Sequence, residues 1–230
     1  MKSVVRGLIL VGLWSCGDGS APTAGTDGAS APASNQPPPP PADVDVELPE
    51  LPEGTVFPVD VASSKIEFTG AKVTGSHDGG FSAFTGSVVL DGDEVLGTKF
   101  VIDMTTTSSD NAKLTKHLLS KDFFHAEKYP EATFVSSGLT PTAETGAVTH
   151  DVRGVLELHG KSRPLSFPAT VIVGAMATTV EASFDINRQN WGVSYPGKPD
   201  NLIKDDVQIR LSLRFPTTAG GEADAGEASN

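Results

Sequence analysis

Between residues 54 and 216 apolar and polar residues alternate one by one, and few folds can use such a pattern. In "DDVQIRLSLRF", Val207, Ile209, Leu211, Leu213 and Phe215 are separated by Gln208, Arg210, Ser212 and Arg214. Successive side chains of a strand point to opposite faces, so this run has one apolar face and one wet face. The same holds for Leu165, Phe167, Ala169, Val171 and Val173 in "PLSFPATVIV", and for Val180, Ala182, Phe184 and Ile186 in "TTVEASFDI". In "VTHDVRGVLELHG" Val148, Val152, Leu156 and Leu158 share a parity with His150 and Gly154. "KFVIDM" adds Phe100, Ile102 and Met104, and "SKIEF" adds Ile66 and Phe68. With "GFSAFTGSVVLDG" and "ATFVSS" the count reaches about eight strands. Half-buried antiparallel strands joined by short turns predict an all-β domain, either a closed up-and-down barrel or a sandwich.

One segment departs from this rhythm. "SDNAKLTKHLLSKDFF" starts with Ser109 and Asp110 as N-cap candidates, and Leu114, Leu118 and Leu119 follow at helical spacing. This predicts a short helix over about residues 111–120. Tyr129–Pro130 ends helical geometry, because proline pushes its predecessor into extended conformation. The stretch is therefore a helix-to-strand corner, and at least one ring of Phe123 and Phe124 is expected to fold onto the barrel end. As a plug they close the core; as a lid they cover a cavity mouth.

The ends of the chain have a different character. "MKSVVR" followed by "GLILVGL" and "LWSC" has the form of an export signal over residues 1–15, too short to span a bilayer as a mature helix. Cys16, the single cysteine, stands where a lipoprotein signal places its lipidated residue, which predicts an anchored protein of the periplasm or cell envelope. A lone cysteine makes no internal disulfide. Residues 16–53, rich in proline, glycine and small polar residues, are read as a linker, with Pro37–Pro41 stiffened into polyproline II; 217–230 are read as an acidic tail. The formal charge of −12 comes mostly from these ends, since 54–216 hold 19 acidic against 15 basic residues. No basic stripe exists to displace phosphate counterions, so nucleic acid is not an expected partner.

Catalytic signals do not emerge. The chain contains no G-x-S-x-G, Walker loop or dinucleotide fingerprint, and "DGDEVLG" lacks the glycine and terminal glutamate of a calcium loop. His77, His117, His125, His150 and His159 form no standard ligand spacing. The reading is of a non-enzymatic protein with no cofactor and no metal, and the rival roles are an envelope scaffold with a filled core or a periplasmic hydrolase.

Four segments taken in order resemble one known family. "LLSKDFFHAEKYPEATFVSS" is similar to the signature of the YceI-like family, in which a leucine-rich turn leads into an aromatic pair and a "YP-A-F" strand. "SSKIEFTGAKVTGSHDGGFSAFTGSVVLDG" resembles its opening strands, "VRGVLELHGKSRPLSFPA" its hairpin, and "FDINRQNWGVSY" with "IKDDVQIRLSLRF" its closing strands. The resemblance covers 54–216 and implies an extended, lipocalin-like antiparallel barrel. It further implies an apolar tunnel holding a long isoprenoid such as a polyprenyl phosphate or quinone, with the polar head toward the open end. The wall residues expected on this reading are Phe68, Phe81, Phe84, Met104, Phe134, Phe167, Phe184 and Trp191, with Leu118, Leu119, Phe123 and Phe124 at the corner. For each, ordinary core packing is the alternative. Gly70, Gly75, Gly79, Gly80 and Gly86 either let the backbone curve and approach closely or are simple turn residues.

Overall fold

The computed structural model describes residues 45–142 and 148–217. The expected export signal, Cys16, the linker up to residue 44 and the tail from 218 lie outside the described residues. Thirteen strands and one helix follow in order: β1 (Thr55–Pro58), β2 (Lys65–Lys72), β3 (Gly75–Phe81), β4 (Phe84–Asp91), β5 (Glu94–Asp103), β6 (Thr107–Ser109), α1 (Ala112–Leu119), β7 (Glu131–Pro141), β8 (His150–Leu158), β9 (Lys161–Val173), β10 (Ala177–Asn187), β11 (Gly197–Lys198), β12 (Asn201–Leu202) and β13 (Asp206–Pro216).

Eleven of these strands form one antiparallel sheet in the order β1-β4-β5-β7-β8-β9-β10-β13-β2-β3-β6, and β11 pairs with β12 separately. The expected eight strands become eleven because two long strands are each cut by a bend, which makes ten, and Thr55–Pro58 adds β1 at the edge. Only Ser82 and Ala83 separate β3 from β4, and the 3₁₀ turn Met104–Thr106 separates β5 from β6. At that corner Asp103 N donates to Ala83 O (3.0 Å) and Ala83 N to Thr106 Oγ1 (3.1 Å). One half of this bent hairpin, β4–β5, pairs with β1 and β7, while the other, β3–β6, pairs with β2. The hairpin thus joins the two ends of the sheet and curls it shut. Across the seam Asp60 N donates to Arg214 O (2.8 Å), which brings the β1 edge against β13.

Alternation sets the interior. The β10–β13 ladder runs unbroken from Ala177↔Pro216 to Asn187↔Asp206, so Val180, Phe184 and Ile186 face inward with Leu213, Ile209 and Val207 opposite. The helix forms where expected, but its cap is Asn111 rather than Ser109 or Asp110. Asn111 Oδ1 accepts from Lys113 N (2.9 Å) and Leu114 N (3.2 Å), while Thr115 Oγ1 accepts from Ser109 N (3.0 Å). Among the described residues no helix is long and apolar enough to cross a membrane.

The domain begins earlier than its alternation. Val89, Val135 and Val155 are buried although they alternate with the inward Val88, Phe134 and Leu156, so they face outward and need cover. Residues 45–54 pass over this side. Asp45 Oδ1 accepts from Ser162 N (3.1 Å) and from the Arg163 guanidinium, and Val46 N donates to Ser162 O (3.2 Å). Farther along, Leu51 and Pro52 lie against Gly97, and Gly54 lies against Val89 and Leu96. The linker expected over 16–53 is thus corrected: from Asp45 onward the chain is a strap laid on the barrel, held by Val46, Leu48 and Leu51, which are half-buried.

Candidate ligand-binding cavity

The curled sheet leaves a cavity of about 200 Å³ along its interior. On β10 it is lined from Val180 to Ile186 and on β5 from Val95 to Ile102, a run of about 20 Å at ~3.3 Å per residue. It is narrow as well as long, below the ~300–1,000 Å³ of ordinary small-molecule sites. Its walls are almost wholly apolar, Thr98 and Arg188 being the lining residues with polar side chains. Water finds few hydrogen-bond partners along such a wall. At about 24 cal/mol per Å³ a void of about 200 Å³ forgoes on the order of 5 kcal/mol of packing, which an apolar guest recovers.

Nine of the twelve residues singled out from the sequence line this cavity: Phe68, Phe81, Met104, Leu118, Phe123, Phe124, Phe134, Phe167 and Phe184. Three do not. Phe84 is buried in the main core at the start of β4, beside the bend, without reaching the cavity. Leu119 and Trp191 pack instead with Met104, Ala126, Ala132 and Leu158 in a cluster that closes the α1 end. Trp191 lies on the 3₁₀ turn Arg188–Trp191, where strand parity no longer applies, and its indole N–H donates to Leu156 O (2.8 Å).

The corner is both wall and cover. Phe123 and Phe124 both line the cavity, while Phe123 also meets His117 edge-on (4.9 Å) and Tyr195 at a tilt (5.2 Å) and Phe124 meets Phe68 edge-on (6.4 Å). Phe167 and Phe184 stack in parallel at 4.1 Å on the opposite wall. Rings replace branched side chains here, and two of them rely on glycines directly across the ladder. Phe68 faces Gly79 and Phe100 faces Gly86, each ring occupying the space of the missing Cβ. Gly70 differs from both. It lines the cavity, and a Cβ added there would meet nothing within 4 Å.

Arg188 is the functional-site residue that strand reading passed over. It follows β10 directly as the first residue of the 3₁₀ turn, and it is only 5% exposed. Its guanidinium donates to Val193 O (2.5 Å), Lys204 O (3.1 Å) and Asp205 Oδ1 (2.9 Å). Burial pulls its pKa below the ordinary arginine value and the Asp205 carboxylate opposes this, so the group stays charged with its charge locally balanced.

The histidines are dispersed. His77 pairs with Asp110 (2.9 Å), His117 with Asp122 (3.1 Å), and His150 bonds Thr149 Oγ1 (2.8 Å). His125 and His159 flank the Tyr129 ring at 5.8 and 4.7 Å, both in left-handed backbone geometry. Among the described residues no group of three or more histidine, cysteine or acidic side chains is placed to hold a metal ion.

This architecture has known counterparts. A UPF0312 protein of Pseudomonas putida (strain W619) is 33% identical over 139 residues, which span 57% of this chain and 71% of the relative. The crystal structure of Burkholderia cenocepacia BcnA superposes with a TM-score of 0.62 at 28% identity, over 68% of this chain and 98% of BcnA. A polyisoprenoid binding domain from Saccharophagus degradans, implicated in plant cell wall breakdown, shares the fold at 16% identity with a TM-score of 0.57, over 70% and 97% of the two chains. Residues 57–215 match the family described as the YceI-like domain, so the chain belongs to the YceI-like family.

Proposed function

We propose that the protein binds a long-chain isoprenoid lipid in this cavity and stores or carries it over short distances at the cell envelope, without catalysing a reaction. The observation that carries this reading is the cavity itself: a narrow, roughly 20 Å passage with an apolar wall, at strand spacing of ~3.3 Å per residue, fits a slender hydrocarbon chain and little else. The polyisoprenoid binding of the Saccharophagus domain, which shares the fold, supports the same class of ligand.

The wall also constrains the head group. Arg188 is the lining residue with a charge, and its N–H groups are largely taken by backbone carbonyls and Asp205. A phosphate drawn inside would lose its hydration without a free counter-charge, a cost of several kcal/mol. The tail is therefore the buried part, and a phosphate or pyrophosphate head stays at the rim; an uncharged quinone head can follow the chain inward. Anchoring through a lipidated Cys16 would hold the barrel near its lipid source and raise the local concentration. Burial of hydrocarbon does not by itself give tight binding, since the lipid leaves a bilayer that is already apolar, so shape fit decides the preference.

A titration with prenols of increasing length tests the reading. Affinity rises with each isoprene unit until the cavity is filled and then levels off. Affinity independent of chain length, or absent at every length, would instead favour a scaffold with an incidental void.

A further inference from the structure

At the α1 end of the barrel two turns are locked into one ledge. The β2–β3 turn and the β11–β12 hairpin are joined by Val73 N to Leu202 O (3.2 Å), Lys204 N to Ala71 O (2.8 Å), and Thr74 N and Oγ1 to Asn201 Oδ1 (3.3 and 3.1 Å). A bridge between Lys72 and Ile203 completes the connection. This ledge holds two aliphatic side chains out in solvent: Val73 is 73% exposed and Leu202 is 51% exposed. Lys72, Lys198 and Lys204 belong to the same turns, against Asp200 on the hairpin, the exposed Asp206 that opens β13, and Asp205, which is engaged by Arg188.

The ledge adjoins the cavity. Ile203, next to Leu202, lines it, as does Gly70, whose inner side is open space. The strap is fastened at this end too, since Asp45 and Val46 bond Ser162 beside the β8–β9 turn, where Lys161 stands. The opposite end is acidic by contrast, with Asp91, Asp93 and Glu94 on the β4–β5 turn; it too exposes an apolar residue, Met176, at 65%.

From these features we infer that the ledge docks the barrel on an anionic bilayer surface, with Val73 and Leu202 entering the interface and Lys72, Lys198 and Lys204 meeting lipid phosphates. Aliphatic tips ringed by lysines are what an interfacial site requires: the first supply apolar burial, the second attraction to negative headgroups. Docking here turns the Gly70–Ile203 side of the cavity toward the lipid. The purpose of docking rests on the proposed lipid carriage, but the docking itself does not.

The test is co-sedimentation of the full chain carrying Cys16→Ser, so that no covalent anchor contributes, with vesicles of phosphatidylcholine containing phosphatidylglycerol and with phosphatidylcholine alone. Binding is expected to require phosphatidylglycerol, to fall with salt, and to drop on the order of tenfold in Val73→Asp/Leu202→Asp. Met176→Asp is expected to bind as the parent does. The single changes Val73→Ser and Leu202→Ser give smaller losses in the same direction and keep the test informative if the double variant misfolds. Unchanged binding in the ledge variants, or loss in Met176→Asp, overturns the inference. Organic extracts of the same proteins separate the two ideas. An empty cavity with ledge-dependent binding ends the carriage reading alone, whereas a filled cavity without vesicle binding ends the docking inference alone.

Discussion

Phe68 and Gly79 face each other across the β2–β3 ladder, and the phenyl ring occupies the space where a Gly79 side chain would stand, with its Cε1 2.8 Å from the ideal Cβ position. The wall of the cavity is built on such exchanges, and two glycines on neighbouring strands have opposite consequences. Gly79→Ala forces the Phe68 ring off its site and is expected to destabilise the barrel by about 1–3 kcal/mol. At Gly70 an added Cβ meets nothing within 4 Å, so Gly70→Leu is expected to leave the melting temperature near that of the parent while its side chain obstructs the passage and abolishes prenol binding. Calorimetric melting and prenol titration of both variants check this; a Gly70→Leu protein that binds prenol normally would contradict the assigned path of the ligand.

The corner separates wall from plug in the same manner. Phe124 lines the cavity and is half-buried, whereas Trp191 is sealed in the end cluster with its N–H bonded to Leu156 O. Phe124→Ala is expected to speed ligand release far more than it lowers stability. Trp191→Ala leaves a cavity in packed core and is expected to cost about 3–5 kcal/mol. Dissociation rates measured beside urea unfolding would show the reverse pattern if the aromatic corner were only a plug.

Much of this was legible in the strand pattern and some of it was not. Val207 to Phe215 alternates with Gln208 to Arg214, and the inward set of β13 follows from parity alone. The cavity was not legible, because a filled barrel and a hollow one have the same alternation; the family resemblance suggested the difference. The family resemblance placed Phe84 and the turn residue Trp191 on the wall, and neither lines the cavity, since each sits beside an interruption of regular strand. The strap was hidden among prolines and acids, yet its trace was present. Consecutive apolar residues such as Val88–Val89–Leu90 and Phe134–Val135 mark strands buried on both faces, which a wet outer surface does not explain.

The strap carries its own prediction. Arg163 is 6% exposed and Asp45 is the carboxylate that pairs with it, while its Nε has no partner. Asp45→Ala leaves a buried guanidinium without its carboxylate and is expected to cost about 1–3 kcal/mol, a downward shift of roughly 2–12 °C in melting temperature. A chain that begins at Gly54 loses at least as much. Equal melting temperatures for chains starting at 45 and 54 would show that the strap contributes nothing.

Stability should also fall on mild acidification. Burial holds His159 below its ordinary value of 6.5, with nearby His125, Lys161 and Lys128 acting in the same direction and the Trp191 carbonyl opposing; burial alone does the same to His150. The unfolded chain therefore binds protons that the folded one resists, so the stabilising contribution is complete above the ordinary value and is lost as pH falls through and below it. Asp78, held low chiefly by the Thr69 hydroxyl, keeps its contribution above its ordinary value of 3.8 and loses it only below, outside this window. Urea midpoints are expected to decrease between about pH 7 and pH 5, and His159→Asn, which tolerates the left-handed backbone, is expected to flatten that slope. An unchanged slope in the His159→Asn/His150→Asn double variant would remove burial of these imidazoles as the cause.

The most direct measurement is mass spectrometry of an organic extract from the exported protein, purified without detergent. A long-chain isoprenoid present at near one per protein, and missing from Gly70→Leu, is the result that a ligand-filled tunnel predicts. An extract that stays empty after incubation with isoprenoid-containing vesicles contradicts it and leaves the barrel as a scaffold.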